Sequence, residues 1–110
     1  MRDKKTNNLI VSVDLCIIPI GVGISLSPFI AICQREIEKS GLSYKLEANG
    51  TAIEGEWEKV FSCIRSCHEK VHQAGALRIH TSVKVNTRTD RIESFKEKVE
   101  RVNHAISKAN

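Results

Sequence analysis

Two short runs of alternating apolar and polar residues, Tyr44-Lys45-Leu46-Glu47-Ala48 and Thr51-Ala52-Ile53-Glu54, meet across the dipeptide Asn49-Gly50. A type I′ turn needs positive φ at both central positions, and Asn-Gly is a pair that supplies it at little steric cost. The stretch is therefore an antiparallel hairpin. An isolated hairpin is marginal in water and needs further strands, or a helix packed on its apolar face, to persist. The rest of the chain has to provide both.

Upstream, Val11, Val13, Leu15 and Ile17 alternate with Ser12, Asp14 and Cys16, the period-two pattern of a half-buried strand. Pro19-Ile20-Gly21-Val22-Gly23 breaks that strand and forms a loop. Ser27 is a suitable N-cap with Pro28 at the first helical position, and Phe29, Ile30, Cys33 and Ile37 share one face before Gly41 stops the helix. A second helix runs from about Glu56 to Ala74 and ends at Gly75. Trp57, Val60, Phe61, Ile64, Cys67 and Val71 fill one arc of it, with charged and polar residues opposite. Leu77, Ile79, Thr81, Val83 and Val85 then alternate with Arg78, His80, Ser82, Lys84 and Asn86, a last strand. Asp90 and Glu93 form a capping box for a third helix. Its apolar stripe of Ile92, Phe95, Val99, Val102 and Ile106 is narrow, as on a helix lying in a groove or against a partner subunit.

The element order β-α-β-β-α-β-α places the chain in the α+β class, with a ferredoxin-like βαββαβ core, a four-stranded antiparallel sheet and an additional C-terminal helix. A length of 110 residues suits one domain, assigned to residues 9–110 after a flexible polar leader at residues 1–8. Both crossover helices are expected on the face carrying Val11, Val13, Leu15, Ile17, Ile79, Val83 and Val85. The other face displays Ser12, Asp14, Cys16, Arg78, His80, Ser82 and Lys84, a mixture suited to a wet interface or a ligand site.

Several functions are disfavoured. The net charge of +4 is scattered, apart from Lys4-Lys5, and reads as a solvated surface. Ferredoxin-like sheets that read RNA stack bases on aromatics of two central strands, which here carry none. The apolar run Leu9–Ile20 is interrupted by Ser12 and Asp14 and falls short of the ~20 residues a membrane span requires. Four cysteines with no export signal read as reduced thiols and place the protein in the cytoplasm. Cys63, Cys67, His68 and His72 stand on adjacent helical turns at zinc-ligand spacing. They also lie within or beside the apolar arc, so they are assigned as core thiols and boundary histidines, with no metal and no cofactor. No nucleophile motif is present, and Gly21-Val22-Gly23 lacks the third glycine and the lysine of a phosphate loop. Asp14 stands out, because an acid in an apolar strand is costly unless paired. Either Lys84 or Arg78 neutralises it, or it holds a cationic ligand.

Three ordered motifs extend this reading. Asp14…Pro19-x-Gly21, then Gly50-Thr51-x-Ile53-Glu54-Gly55-x-Trp57, then Arg78-x-x-Thr81-x-x-Lys84-x-x-x-Arg88-x-Asp90 together resemble the small thiamine-binding protein family. That family is related to bacterial thiamine/hydroxymethylpyrimidine-binding proteins, and the resemblance is to its fungal-type members. It spans roughly residues 9–107. It implies a ferredoxin-like fold, homodimers pairing into a homotetramer through their sheets, no catalysis, and cytoplasmic binding of thiamine or its pyrimidine moiety. It further implies that Asp14 or Glu54 pairs with the thiazolium or aminopyrimidine, and that Thr51, Thr81 and Ser82 supply hydrogen bonds. Gly21, His80, Lys84 and Arg88 complete the implied ligand-binding set, and Tyr44 or Trp57 is placed to stack on a ring. The alternative is a structural or regulatory oligomer with no small-molecule ligand.

Overall fold

Alternate residues of the first strand are buried from Val11 to Leu15, and that alternation organises the computed structural model, which describes residues 9–90 and 95–109. Strand β1 (Ile10–Ile20) buries Val11, Val13 and Leu15 on one face and leaves Asp14 exposed on the other. It is flanked on both sides. With β4 (Arg78–Thr87) it pairs antiparallel from Val11↔Thr87 to Ile20↔Arg78, and with β3 (Gly50–Glu56) only from Ile10↔Glu56 to Leu15↔Thr51. Strand β2 (Ser43–Glu47) completes the sheet in the order β2-β3-β1-β4, the ferredoxin-like arrangement. Helices α1 (Ser27–Ser40) and α2 (Trp57–Gln73) pack on each other and on the apolar face. Val11, Val13, Ile37, Ile53, Val60 and Val71 are fully buried between sheet and helices. Each such aliphatic side chain stabilises the fold by roughly 1.5–3 kcal/mol. The small thiols Cys33, Cys63 and Cys67 fill the α1–α2 contact, in a core built almost wholly of aliphatics.

Several local features differ from the pattern read off the sequence. The hairpin exists, but its two-residue loop is Ala48-Asn49, because Glu47 pairs with Gly50. All positive-φ residues among those described are glycines, so Asn49 does not adopt the type I′ geometry. Gly50 serves closeness of approach instead. A Cβ there would stand 2.7 Å from the Leu15 carbonyl oxygen and 3.3 Å from Asp14 Oδ1. Pro19 does not end β1, which continues to Ile20. Past Leu15 that strand has only β4 beside it, and a residue lacking an N–H is tolerated where one edge is open. Leu26 occupies the N-cap of α1 with no side-chain cap bond, Ser27 being the first helical residue. The C-terminal stop at Gly41 does hold, with φ 75° and its N–H donating to the Glu38 carbonyl.

The β4 edge is less covered than alternation suggests. Val83 and Val85 face the helix side opposite Leu15 and Val13, yet remain 37% and 41% exposed, since α2 lies chiefly over β3 and β1. Leu77 precedes β4 and is exposed, and Trp57 is only half-buried, against Phe61 with ring centroids 4.6 Å apart. Helix α3 (Phe95–Ala109) leans on no other described element extensively, and Val99, Val102 and Ile106 on its stripe stay more than half exposed. The leader at residues 1–8, Ile92 and the Glu93 half of the capping box lie outside the described residues.

Replacing Gly50 with alanine is expected to force the hairpin away from β1, since backbone and not a flexible side chain meets the new methyl. The expected loss is about 1–3 kcal/mol of unfolding free energy, measured by urea titration. Unchanged stability would refute the close approach.

Candidate functional site

The unequal pairing of β1 creates the site. Past Leu15 its inner edge has no strand partner, so alternate peptide groups between Cys16 and Ile18 present N–H and C=O away from β4. The hairpin turn lies across this gap and α1 lies beneath it, enclosing an open-mouthed cavity of about 280 Å³. Leu15, Ile17, Leu26, Ile30, Ile37 and Leu46 provide apolar walls, while Cys16, Cys33, Gln34, Glu47, Asn49 and Thr51 add polar groups.

Two of those polar groups are already joined. Thr51 is 5% exposed and is the one buried polar side chain among the described residues. Its Oγ1 accepts a 2.8 Å hydrogen bond from Nε2 of Gln34 on α1. This bond fastens β3 to α1 at the cavity wall and fixes the carboxamide's orientation. Gln34 escaped the sequence reading, although a signal existed. It stands four residues after Ile30 and three before Ile37, a polar side chain at a position where the helix's apolar stripe calls for another aliphatic.

The eight residues singled out from the sequence fall into separate regions. Thr51 is on the helix side and lines the cavity. Thr81 is also on the helix side, opposite Ile17, where its Oγ1 is hydrogen-bonded to His68 Nε2 at 2.6 Å. Asp14, Glu54, His80 and Lys84 occupy the open face of the sheet. Lys84 stands directly across from Asp14 in register, Glu54 across from Ser12 and His80 across from Ile18. The ion pairs formed by the described residues do not join Asp14 to Lys84 or Arg78. Asp14 instead leans toward the hairpin, beside Gly50. Gly21 lies in the loop just past β1, whereas Arg88 follows β4 at the opposite end of the sheet and holds Asp90 through Nη2···Oδ2 at 2.9 Å. The ten residues of β4 run between those two ends, a span of about 30 Å. Within one copy, then, the structure brings Asp14, Lys84 and Glu54 near each other, sets Thr51 apart with Gln34, and keeps Gly21 and Arg88 distant.

Elsewhere on α2 the zinc-spaced residues point to different partners. Cys67 Sγ donates to the Cys33 carbonyl at 3.7 Å, and His72 Nδ1 donates to the Ala76 carbonyl at 2.7 Å. The described residues contain no group of three side chains placed to hold a metal ion. The neighbouring Cys67 thiol holds the Cys63 pKa down at about 7, whereas the closeness of Cys33 and Cys63, with burial, pushes that of Cys67 upward. Burial, and then repulsion from His72, lowers the His68 pKa below the usual histidine value.

No helix among the described residues is long and apolar enough to cross a membrane. A family model described as thiamine-binding protein matches residues 13–103. The chain is similar to a UPF0045 protein of Synechocystis sp., 46% identical over 101 residues that cover 92% of this chain and 82% of that one. It is also similar to the UPF0045 protein ECM15 of Eremothecium gossypii, 36% identical over 96 residues covering 86% and 91%. Two solved structures share the fold. A hypothetical protein from Methanocaldococcus jannaschii superposes with a TM-score of 0.79 at 24% identity, covering 86% of this chain and 96% of that one. A putative thiamine biosynthesis/salvage protein from Thermotoga maritima does so at 0.74 and 22%, covering 84% and 98%.

The depressed His68 pKa carries a signed consequence. Between the folded and unfolded values the unfolded chain binds more protons, so stability is full above the unfolded pKa, about 6.5, and is lost as pH falls through the folded value. Thermal unfolding followed from pH 8 to pH 5 is expected to show this acid loss, reduced in His68→Gln. An identical pH profile for the two proteins would refute the assignment.

Proposed function

This chain belongs to the thiamine-binding protein family, and on that footing we propose that it binds thiamine, or a related pyrimidine, without turning it over, in the cytoplasm. The observation that carries the reading is the cavity at the open edge of β1, with its buried Thr51–Gln34 pair. Small-molecule sites combine apolar walls with a few fixed polar groups and run from roughly 300 Å³ upward. At about 280 Å³ this cavity suits one aromatic ring with the rest of the ligand at the mouth. The lining offers a hydroxyl, a carboxamide, thiols and unpaired strand-edge peptides, groups that orient a ligand.

We propose further that copies of the chain associate, homodimers pairing into a homotetramer through their open sheet faces. Support comes from the half-exposed Ile18 and Ile20 on that face and from the bare stripe of Val99, Val102 and Ile106 on α3. A second copy covering the open face would also take Asp14, Glu54, His80 and Lys84 out of water.

Titration calorimetry with thiamine and with hydroxymethylpyrimidine is expected to give saturable heat. Ile30→Trp, which fills the mouth from a half-exposed position, is expected to weaken binding at least 10-fold with unfolding unchanged. Absence of heat with both compounds overturns the ligand assignment, and light scattering that finds a monomer at all concentrations overturns the assembly.

A further inference from the structure

We infer that Gln34 is the specificity residue of the cavity: it reads the amino-substituted edge of a pyrimidine, so the neutral ring enters and the cationic ring stays at the mouth. This rests on the ligand-binding reading above and goes beyond it by fixing which end of the ligand is inside and what distinguishes it.

The chemistry starts from the Gln34–Thr51 bond. An amide nitrogen carries two N–H groups, and one of them is given to Thr51 Oγ1 at 2.8 Å. The carbonyl oxygen and the second N–H remain, side by side, as an acceptor next to a donor. A 4-aminopyrimidine presents the complementary edge, a donor exocyclic amine beside an acceptor ring nitrogen. This is the arrangement by which glutamine recognises adenine bidentately. A 4-oxo ring presents the inverse, an acceptor oxygen beside a ring N–H. Glutamine adapts to that inverse edge only by turning its carboxamide over. With Nε2 given to buried Thr51, the carboxamide stands in the amino-reading orientation, and turning it over would require the Thr51 hydroxyl to donate where it now accepts. Thr51 is therefore a positioning residue, and Gln34 makes the contact.

Electrostatics sets the direction of entry. The inner wall is neutral: Gln34, Thr51, two thiols and aliphatic side chains. A cationic thiazolium buried there without an anion would be strongly disfavoured. The one carboxylate among the lining residues is that of exposed Glu47, at the hairpin turn. The cation has a reason to remain beside it, and the pyrimidine has a reason to go inward.

The test compares four ligands by calorimetry on the full chain: thiamine, its 4-oxo analogue, hydroxymethylpyrimidine and the hydroxyethylthiazole N-methylated so that it keeps the positive charge. The native protein is expected to prefer thiamine over the oxo analogue by about 10- to 100-fold, to bind the pyrimidine fragment and to give no heat with the thiazole. Gln34→Glu, which offers acceptors alone, is expected to abolish or reverse the amino preference. Any added attraction for the cation acts on both analogues and cancels in the ratio. Thr51→Val, which frees the carboxamide to turn over, is expected to narrow the preference toward parity. Thiamine binding with the native preference intact in Gln34→Glu overturns this inference alone, as does binding of the thiazole fragment in place of the pyrimidine. Because the fragment comparison uses unmodified protein, the inference remains open to refutation even if a variant does not fold. No binding of any of the four removes the parent reading and this one with it.

Discussion

The mismatch between the two pairings of β1 is the constraint on which the rest depends. Its outer edge is satisfied along the full strand by β4, while its inner edge is satisfied by β3 only as far as Leu15. Strand edges with free peptide groups invite pairing, and folded proteins usually cover or blunt them. Here the β2–β3 turn and α1 close around the vacant edge without filling it. Had β3 begun two residues earlier, the ladder would occupy the space and no cavity would remain. Gly50 sits at the limit of pairing, where a side chain would collide with Leu15. One absent methyl thus sets how closely the hairpin approaches and where the ladder stops.

The fold was largely legible because each segment carried its own period. Alternation from Val11 to Ile17 and from Ile79 to Val85, and three- and four-residue spacing from Val60 to Val71, name their elements before any contact is known. What eluded that reasoning had more than one physical explanation. Asn49-Gly50 matches a type I′ turn, but the glycine is spent on closeness to Leu15 and the turn shifts back by one residue. Val83 and Val85 follow the buried period, yet period does not report how far two helices reach across four strands.

The site was legible in pieces. Residue type drew attention to Asp14, Thr51, Thr81 and Lys84 together, whereas strand parity sends Asp14 and Lys84 to one face and Thr51 and Thr81 to the other. The partner of each threonine came from a helix: Gln34 for Thr51, His68 for Thr81. Those pairings join residues 17 and 13 positions apart and leave no trace in either strand's own pattern. A buried hydroxyl must find a partner, so a threonine on an apolar strand face points to a polar residue on the covering helix. Applied to Thr51, that rule would have singled out Gln34 on α1.

Helix α3 obeys different rules from the rest of the molecule. Stability within a protein is graded, and segments that bury little apolar surface open at small fractions of the global unfolding free energy. With Val99, Val102 and Ile106 more than half exposed and no extensive packing on the other described elements, α3 depends more than α1 and α2 on interactions of its own. A 15-residue helix on such terms is close to the length at which isolated helices are marginal. The βαββαβ body is therefore expected to open as one cooperative unit and α3 at a smaller cost, its helicity responding to whatever comes to lie against it.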